Sequence, residues 1–256
     1  FRCEKMRIDY SNIAQYYDKV RITSPDYLRF WSSKIAHYGS VKKHSRVLDI
    51  GCGTGRFTLI LSKITKAEVY AIEPSEYMIG EAIRKDKKKR VNWNKGTAEK
   101  LPFQNEFFDC VYMTFVFHQI KKRKKTMAEI YRVLKPKGKC VFMTTSYAHI
   151  KRSPLYMFPG LAAIDLARFP SLPEFKRILE REGFSNVHYH LDRYKDHGYT
   201  VDDYLKRVKS KHISTLSVLP KKEFERGYEE FKKKLKEKYC DYVVIPHGVY
   251  IVSGEK

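Results

Sequence analysis

Acidic residues are scarce against basic ones in this chain of 256 residues: 29 Asp and Glu stand beside 51 Lys and Arg, a formal charge of +22. No apolar run approaches the roughly 18 residues that a membrane-spanning helix needs. The first residues, Phe1-Arg2-Cys3-Glu4-Lys5, lack the apolar core of a secretory signal. The expectation is a soluble protein of the cytoplasm. The five cysteines are odd in number and show no C-x-x-C spacing, which argues against a disulfide framework and against a zinc site, so no metal is expected. Cys52, Cys110 and Cys140 instead sit in apolar surroundings, where cysteine behaves as a small hydrophobe. Internal repeats and low-complexity linkers are lacking too.

What is present is an ordinary apolar fraction of 43%, enough for a full core in one α/β domain with a modest cap. Residues near Asn12 to Val20 and Pro25 to His37 read as amphipathic helices, with Ser24-Pro25 as a start signal. Short apolar runs then alternate with helical patterns. Strands are expected at Arg46 to Ile50, Val69 to Ile72, Val91 to Asn94, Phe108 to Thr114, Cys140 to Thr145 and Val187 to Leu191. Helices are expected at Gly55 to Ile64, Glu76 to Lys85, Lys124 to Leu134 and Pro173 to Gly183, with Gly183 just past the last turn. Such alternation implies parallel pairing with helices on both faces of the sheet. A mostly helical stretch, Val201 to Tyr239, precedes a last strand, Val243 to Val252, in which Pro246 suggests an edge or a bulge. This divides the chain into an N-terminal helical cap (1–40), a ligand-binding core (41–200), a helical insertion with the length of a lid (201–240) and the core's final strand (241–256).

The most informative segment is Val47-Leu48-Asp49-Ile50-Gly51-Cys52-Gly53-Thr54-Gly55. Alternate glycines after a buried strand let the backbone turn sharply and approach a ligand, and the N–H groups at the start of the next helix are expected to face it. A dinucleotide fingerprint wants Gly or Ala where this chain has Arg56. Asp49 beside the loop would repel a pyrophosphate. It would suit S-adenosyl-L-methionine (SAM), which carries an ammonium and a sulfonium and no phosphate. Glu73 ends the second strand, 22 residues after Gly51, the place for a carboxylate that grips both ribose hydroxyls.

Together with Ala71-Ile72-Glu73-Pro74-Ser75, Gly96 to Phe103 and Glu129 to Gly138, this loop resembles the class I SAM-dependent methyltransferases. Within them the chain is most similar to the subgroup of ubiquinone and menaquinone biosynthesis enzymes and small-molecule relatives. The likeness covers roughly Tyr10 to Thr145 and is specific for cofactor and fold, not for substrate. It implies a Rossmann-like, doubly wound, mostly parallel seven-stranded sheet with an antiparallel last strand. It also implies that Asp49 and the backbone of Gly51 and Gly53 hold the methionine end and Glu73 the ribose, with Cys52, Gly55 and Pro74 also cofactor-binding. Ala98 and Glu99 would meet the adenine, where Thr97 replaces the Asp common in the family, and Thr114 would lie beneath the methionine part. Tyr17 and Arg21 resemble a cap motif that closes over the cofactor.

Methyl transfer from a sulfonium relies on alignment, and a base is needed only if the acceptor loses a proton. His118 follows the fourth strand at the sheet end where ligands collect, and is the candidate catalytic base. Tyr147, His149 and Arg152 follow the fifth strand, and Arg207, with Lys209, Lys211 and His212, lies in the insertion; all are candidates for binding an acceptor, and the insertion cations would suit an anionic one. A solvated helix face is the plainer reading of the insertion cations. Nucleic acid is the second choice of partner. The run Lys85 to Arg90 falls at the sheet end away from the cofactor while Lys121 to Lys125 falls near it, and neither has aromatics interleaved for base stacking. An RNA or protein methyltransferase, and a SAM-binding protein without turnover, are the alternatives to a small-molecule enzyme. Oligomeric state is not legible.

Overall fold

The computed structural model of the protein describes residues 17–20, 24–195, 197–211, 213–245 and 248–256. In chain order the strands are β1 (Arg46–Ile50), β2 (Glu68–Glu73), β3 (Val91–Lys95), β4 (Phe108–Thr114), β5 (Leu134–Thr144), β6 (Ser185–Arg193), β7 (His197–Thr200), β8 (Tyr242–Ile245) and β9 (Gly248–Glu255). The helices are α1 (Tyr17–Val20), α2 (Pro25–Tyr38), α3 (Arg56–Thr65), α4 (Glu76–Lys85), α5 (Arg123–Val133), α6 (Tyr147–Arg152), α7 (Leu161–Arg168), α8 (Leu172–Arg181), α9 (Val201–Lys209), α10 (Ser214–Ser217) and α11 (Lys221–Lys238). Among the described residues no helix is long and apolar enough to cross a membrane.

The chain divides into two compact units. One holds Thr23–Thr144, Pro170–Asp192 and Val249–Lys256, and is built on a seven-stranded sheet of order β3-β2-β1-β4-β5-β9-β6. Pairs β1/β2, β2/β3, β1/β4 and β4/β5 are parallel, whereas β5/β9 is antiparallel. Val47, Leu48 and Ile50 are buried to within 1%, because helices cover both faces of a parallel strand. Chain order reverses between β1 and β4. In open α/β sheets that reversal leaves a crevice at the strands' C-terminal ends, where ligands bind. The start signal at Ser24-Pro25 works as the sequence suggests, Ser24 accepting from Tyr27 N ahead of Pro25; α8 starts on a capping box, Ser171 with Glu174, that the sequence reading did not single out. Gly183 has φ of +94°, past the end of α8.

The other unit holds Thr145–Phe169 and Arg193–Gly248, with α1. Its own core gathers Phe158, Leu161, Tyr204, Val208, Phe231 and Leu235. Inside it Asp165, 2% exposed, accepts from the hydroxyls of Tyr156 at 2.7 Å and Thr215 at 2.6 Å.

Three expectations need correction. The last strand is not one run from Val243 to Val252: β8 pairs antiparallel with β7 in a separate two-stranded sheet, and only β9 joins the large sheet. Apolar alternation marks a strand but is silent about its partner; Pro246 itself lies outside the described residues. The fifth strand starts at Leu134, not Cys140, and carries the Pro136–Gly138 segment within it, with Lys137 at φ +65° and a register shift opposite Phe108 and Cys110. Finally, 145–169 groups with 193–248 rather than with the sheet, while α2 groups with the sheet unit, where Lys34 pairs with Asp192 at 2.6 Å and Tyr38 stacks on His190.

Candidate functional site

Asp49 stands one residue before the end of β1 and is fully buried. Its Oδ2 accepts from Thr58 Oγ1 of α3 at 2.6 Å, and its Oδ1 is buried with no hydrogen-bond partner among the described residues. Burial pushes its pKa up from 3.8 to about 7, against the opposing bond from Thr58. The Tyr112 hydroxyl lies near enough to favour the charged form, yet the two do not meet in hydrogen-bond geometry, and that hydroxyl is also without a partner. A buried carboxylate with an idle oxygen is costly unless a positive group completes it.

The loop above it turns on Gly51, Gly53 and Gly55, at φ of +73°, +55° and +73°. A Cβ at Gly51 would strike Val116 at 2.7 Å, whereas one at Gly53 would meet only the Met78 methyl at 3.4 Å. Among the described residues, Gly53 therefore has almost nothing packed against it on that side. Four of the loop's own N–H groups are engaged within the protein. Gly51 N and Cys52 N donate to Ile72 O, Gly55 N donates to Cys52 O, and Gly53 N donates to Glu73 Oε2 at 3.0 Å. A loop that has used these donors internally and retains acidic acceptors suits a cation, not a phosphate.

Glu73, 7% exposed, is clamped at both oxygens, since Oε1 accepts from Ser75 N at 3.0 Å. Burial raises its pKa, while the bonds from Ser75 and Gly53 act the other way. Each oxygen keeps a further lone pair for a hydroxyl. Pro74 beside it is exposed, and Cys52 is half-buried with its thiol pushed well up by burial.

Ala98 is buried, Glu99 half-buried and Thr97 exposed, on a segment held from α5. Glu129 Oε2 accepts from Leu101 N at 2.7 Å, and Arg132, bidentate on Glu129, donates to the carbonyls of Leu101 and Phe103. These two side chains were quoted in the sequence motif without a role; their i, i+3 spacing on a helix was the available signal. Thr114 ends β4, half-buried. His118, also half-buried, lies in a short 3₁₀ turn, Phe117–Gln119, pinned by Phe117 stacking on Phe175 at 4.3 Å. Asp49, Glu73, the glycine loop, Thr114 and His118 thus share the C-terminal end of the sheet. A cofactor with two cationic groups and a ribose fits what they offer.

The remaining candidates belong to the other unit. The Tyr147 hydroxyl points at the carbonyls of Leu166 and Phe169, at 3.1 and 3.0 Å. The pKa of His149 is lowered by burial and then by Arg152, and Arg152 is exposed with Nε on Ala148 O. Arg207 sits 5.5 Å over the Tyr199 ring. Tyr17 is half-buried; Arg21 and His212 lie outside the described residues. Among the described residues no group of three or more His, Cys, Asp or Glu is placed to hold a metal ion.

Known proteins agree with this geometry. Residues 48–142 match the family model of a methyltransferase domain. A demethylmenaquinone methyltransferase of Staphylococcus aureus is 30% identical over 210 residues, covering 72% of this chain and 86% of that protein. Among solved structures, a SAM-dependent methyltransferase from Aquifex aeolicus superposes with a TM-score of 0.56 at 27% identity, over 69% of this chain and 92% of its own. The phosphoethanolamine N-methyltransferase 2 of Haemonchus contortus with bound SAM shares the fold, with a TM-score of 0.62 at 19% identity, covering 98% and 61%. Relatedness across most of a methyltransferase's length, and a loop shaped for a cationic nucleoside, agree: the chain belongs to the class I SAM-dependent methyltransferases.

Proposed function

We propose that this enzyme methylates a small-molecule acceptor, and that the residues named above hold SAM as the resemblance implies. The observation that carries the acceptor class is the relative that covers 86% of its own length and is named for demethylmenaquinone. When bound, SAM supplies the electrophilic methyl group; the chain's part is to bind, orient and keep charges apart. In this reading Glu73 accepts from the ribose hydroxyls and Asp49 adds negative potential from beneath the loop. Gly51, Cys52, Gly53 and Gly55 present backbone to the methionine end. Ala98, Glu99 and Thr97 border the adenine, with Pro74 beside the ribose and Thr114 beneath the methionine part. Tyr17 and Arg21 remain the proposed closing pair. The direct test is mass spectrometry of demethylmenaquinone after incubation with SAM and the protein. Addition of one methyl group supports the reading; a methyl group found on added RNA or protein, with the quinone untouched, overturns it.

We assign the proton-handling role to His118, on its position after β4 at the ligand end of the sheet. His118→Ala should lower turnover by about tenfold or more while calorimetry with S-adenosylhomocysteine shows unchanged affinity. Equal turnover would remove the residue from the mechanism. Tyr147, His149, Arg152 and Arg207 stay proposed acceptor contacts, Tyr147 and Arg207 the weaker because each already engages its own unit. Unchanged acceptor KM after charge reversal at Arg152 and Arg207 would discard those two.

One feature favours nucleic acid as a second partner. Lys42, Lys43, Lys66, Lys87, Lys88, Lys89 and Arg90 are exposed on the loops entering the adjacent strands β1, β2 and β3, with Lys63 exposed in the last turn of α3; Lys63, Lys66 and Arg90 line a cleft of about 280 Å³. That surface lies at the strands' N-terminal ends, a strand length of roughly 17 Å from the cofactor end, so it suits tethering and not methylation. Binding to duplex RNA that weakens steeply with salt would support it; no binding at low salt would exclude it.

A further inference from the structure

Gly55 closes the cofactor loop and is the residue before α3. There is no room behind it. A Cβ built there would lie 2.6 Å from Cη2 of the Trp93 ring and 3.1 Å from the Ala82 methyl. That ring comes from β3, two strands away from β1 in the sheet, where Trp93 pairs in register with Ala71. Its opposite edge is tied down: Nε1 donates to Asp86 Oδ2 at 3.2 Å. Asp86, 7% exposed, also accepts from Arg90 N at 3.1 Å and Val91 N at 3.0 Å, so the carboxylate is fixed to the start of β3.

We infer that Trp93, anchored by Asp86, is a positioning residue that sets cofactor affinity by holding the end of the glycine loop at Gly55. The contacts that depend on Gly55 run straight to the site. Gly55 N closes the turn onto Cys52 O at 2.9 Å, and Gly55 O accepts from Leu59 N at 3.0 Å to begin α3. Within that first turn Thr58 donates to Asp49, and two residues back Gly53 donates to Glu73. A planar, rigid indole braced at both ends resists the small displacements that cost binding geometry most. A smaller side chain would leave a void behind Gly55, and the loop would be free to relax into it.

The chain has two tryptophans, and the other, Trp31, is fully buried in α2. Trp31→Phe therefore leaves Trp93 as the sole indole. Titrating this variant with S-adenosylhomocysteine should change its emission saturably, with the midpoint found by calorimetry. Trp93→Leu should raise the Kd for S-adenosylhomocysteine by about tenfold, while Trp93→Phe, which loses the bond to Asp86 and the outer ring atoms that meet Gly55 but keeps more bulk than Leu, should raise it by about threefold. Silent emission alongside calorimetric binding overturns the inference. So does a Trp93→Leu protein that loses Tm yet binds with parental affinity, since that is what a merely structural residue would do. Should Trp93→Leu fail to fold, the emission titration alone decides.

Discussion

Replacing Asp49 with Asn should make the apo protein more stable at pH 8 and, at the same time, a far poorer binder of SAM. The carboxylate is fully buried, one oxygen lacks a partner, and its pKa rises from 3.8 to about 7. Folding therefore takes up a proton between these values. The apo fold is unpenalised below about pH 4, loses stability as pH climbs to about 7, and carries a constant deficit above that. The rise corresponds to at most about 4 kcal/mol, so Asn, which cannot ionise, should recover about 2 kcal/mol of it. That gain should appear as a higher Tm at pH 8 that shrinks toward pH 4. Cofactor binding runs the opposite way, because a cation prefers the ionised acid. In the parent, affinity for S-adenosylhomocysteine should fall by up to about tenfold per pH unit below 7, with proton release on binding. Asp49→Asn should abolish that dependence and weaken binding by about tenfold or more. Calorimetry in buffers of different ionisation enthalpy reads both effects. Affinity that is flat from pH 5.5 to 7.5 in the parent would refute the role given to Asp49.

Glu73→Ala should be the most damaging single change to cofactor binding, by about a hundredfold or more. It removes the acceptor for Gly53 N and Ser75 N as well as the acceptor proposed for the ribose. Charge-assisted bonds of this kind are worth about 1.5–3 kcal/mol each, so losing two of them already reaches a hundredfold. Glu73→Gln keeps one acceptor oxygen and should lose about tenfold. The Gly53 bond is what ties the two losses together: without it the middle of the loop loses its side-chain tie to β2 even before ligand arrives, leaving only the bonds of Gly51 N and Cys52 N to Ile72 O. Parental affinity in Glu73→Ala would separate the residue from the cofactor altogether.

How much of this was legible beforehand differs from residue to residue. Glu73 was readable because its place, the last residue of the second strand, follows from chain direction in a parallel sheet. Its grip on Gly53 was not, because nothing in sequence says which backbone N–H a carboxylate will find. Asp49 was readable as an acid beside a glycine bend; its raised pKa comes from burial by distant parts of the chain, which no local window shows. Arg132 and Glu129 were visible as a motif, but their staple on Leu101 and Phe103 spans some thirty residues of chain. Trp93 gave no signal at all, an aromatic in a weak third strand.

Local chemistry was enough for the sequence by itself to determine the order of strands and helices from β1 to β5, then α8 and β6 but not α6 and α7 between them, and the cofactor bend and its charge preference, since periodicity, caps and glycine spacing act within a few residues. Only tertiary structure decided that Val243 and Val252 serve different sheets, that 145–169 joins the helical unit, and that the loop's N–H groups are engaged within the protein. Those outcomes depend on which distant segments bury one another, and burial is shared by the whole chain and not encoded in any one window of it.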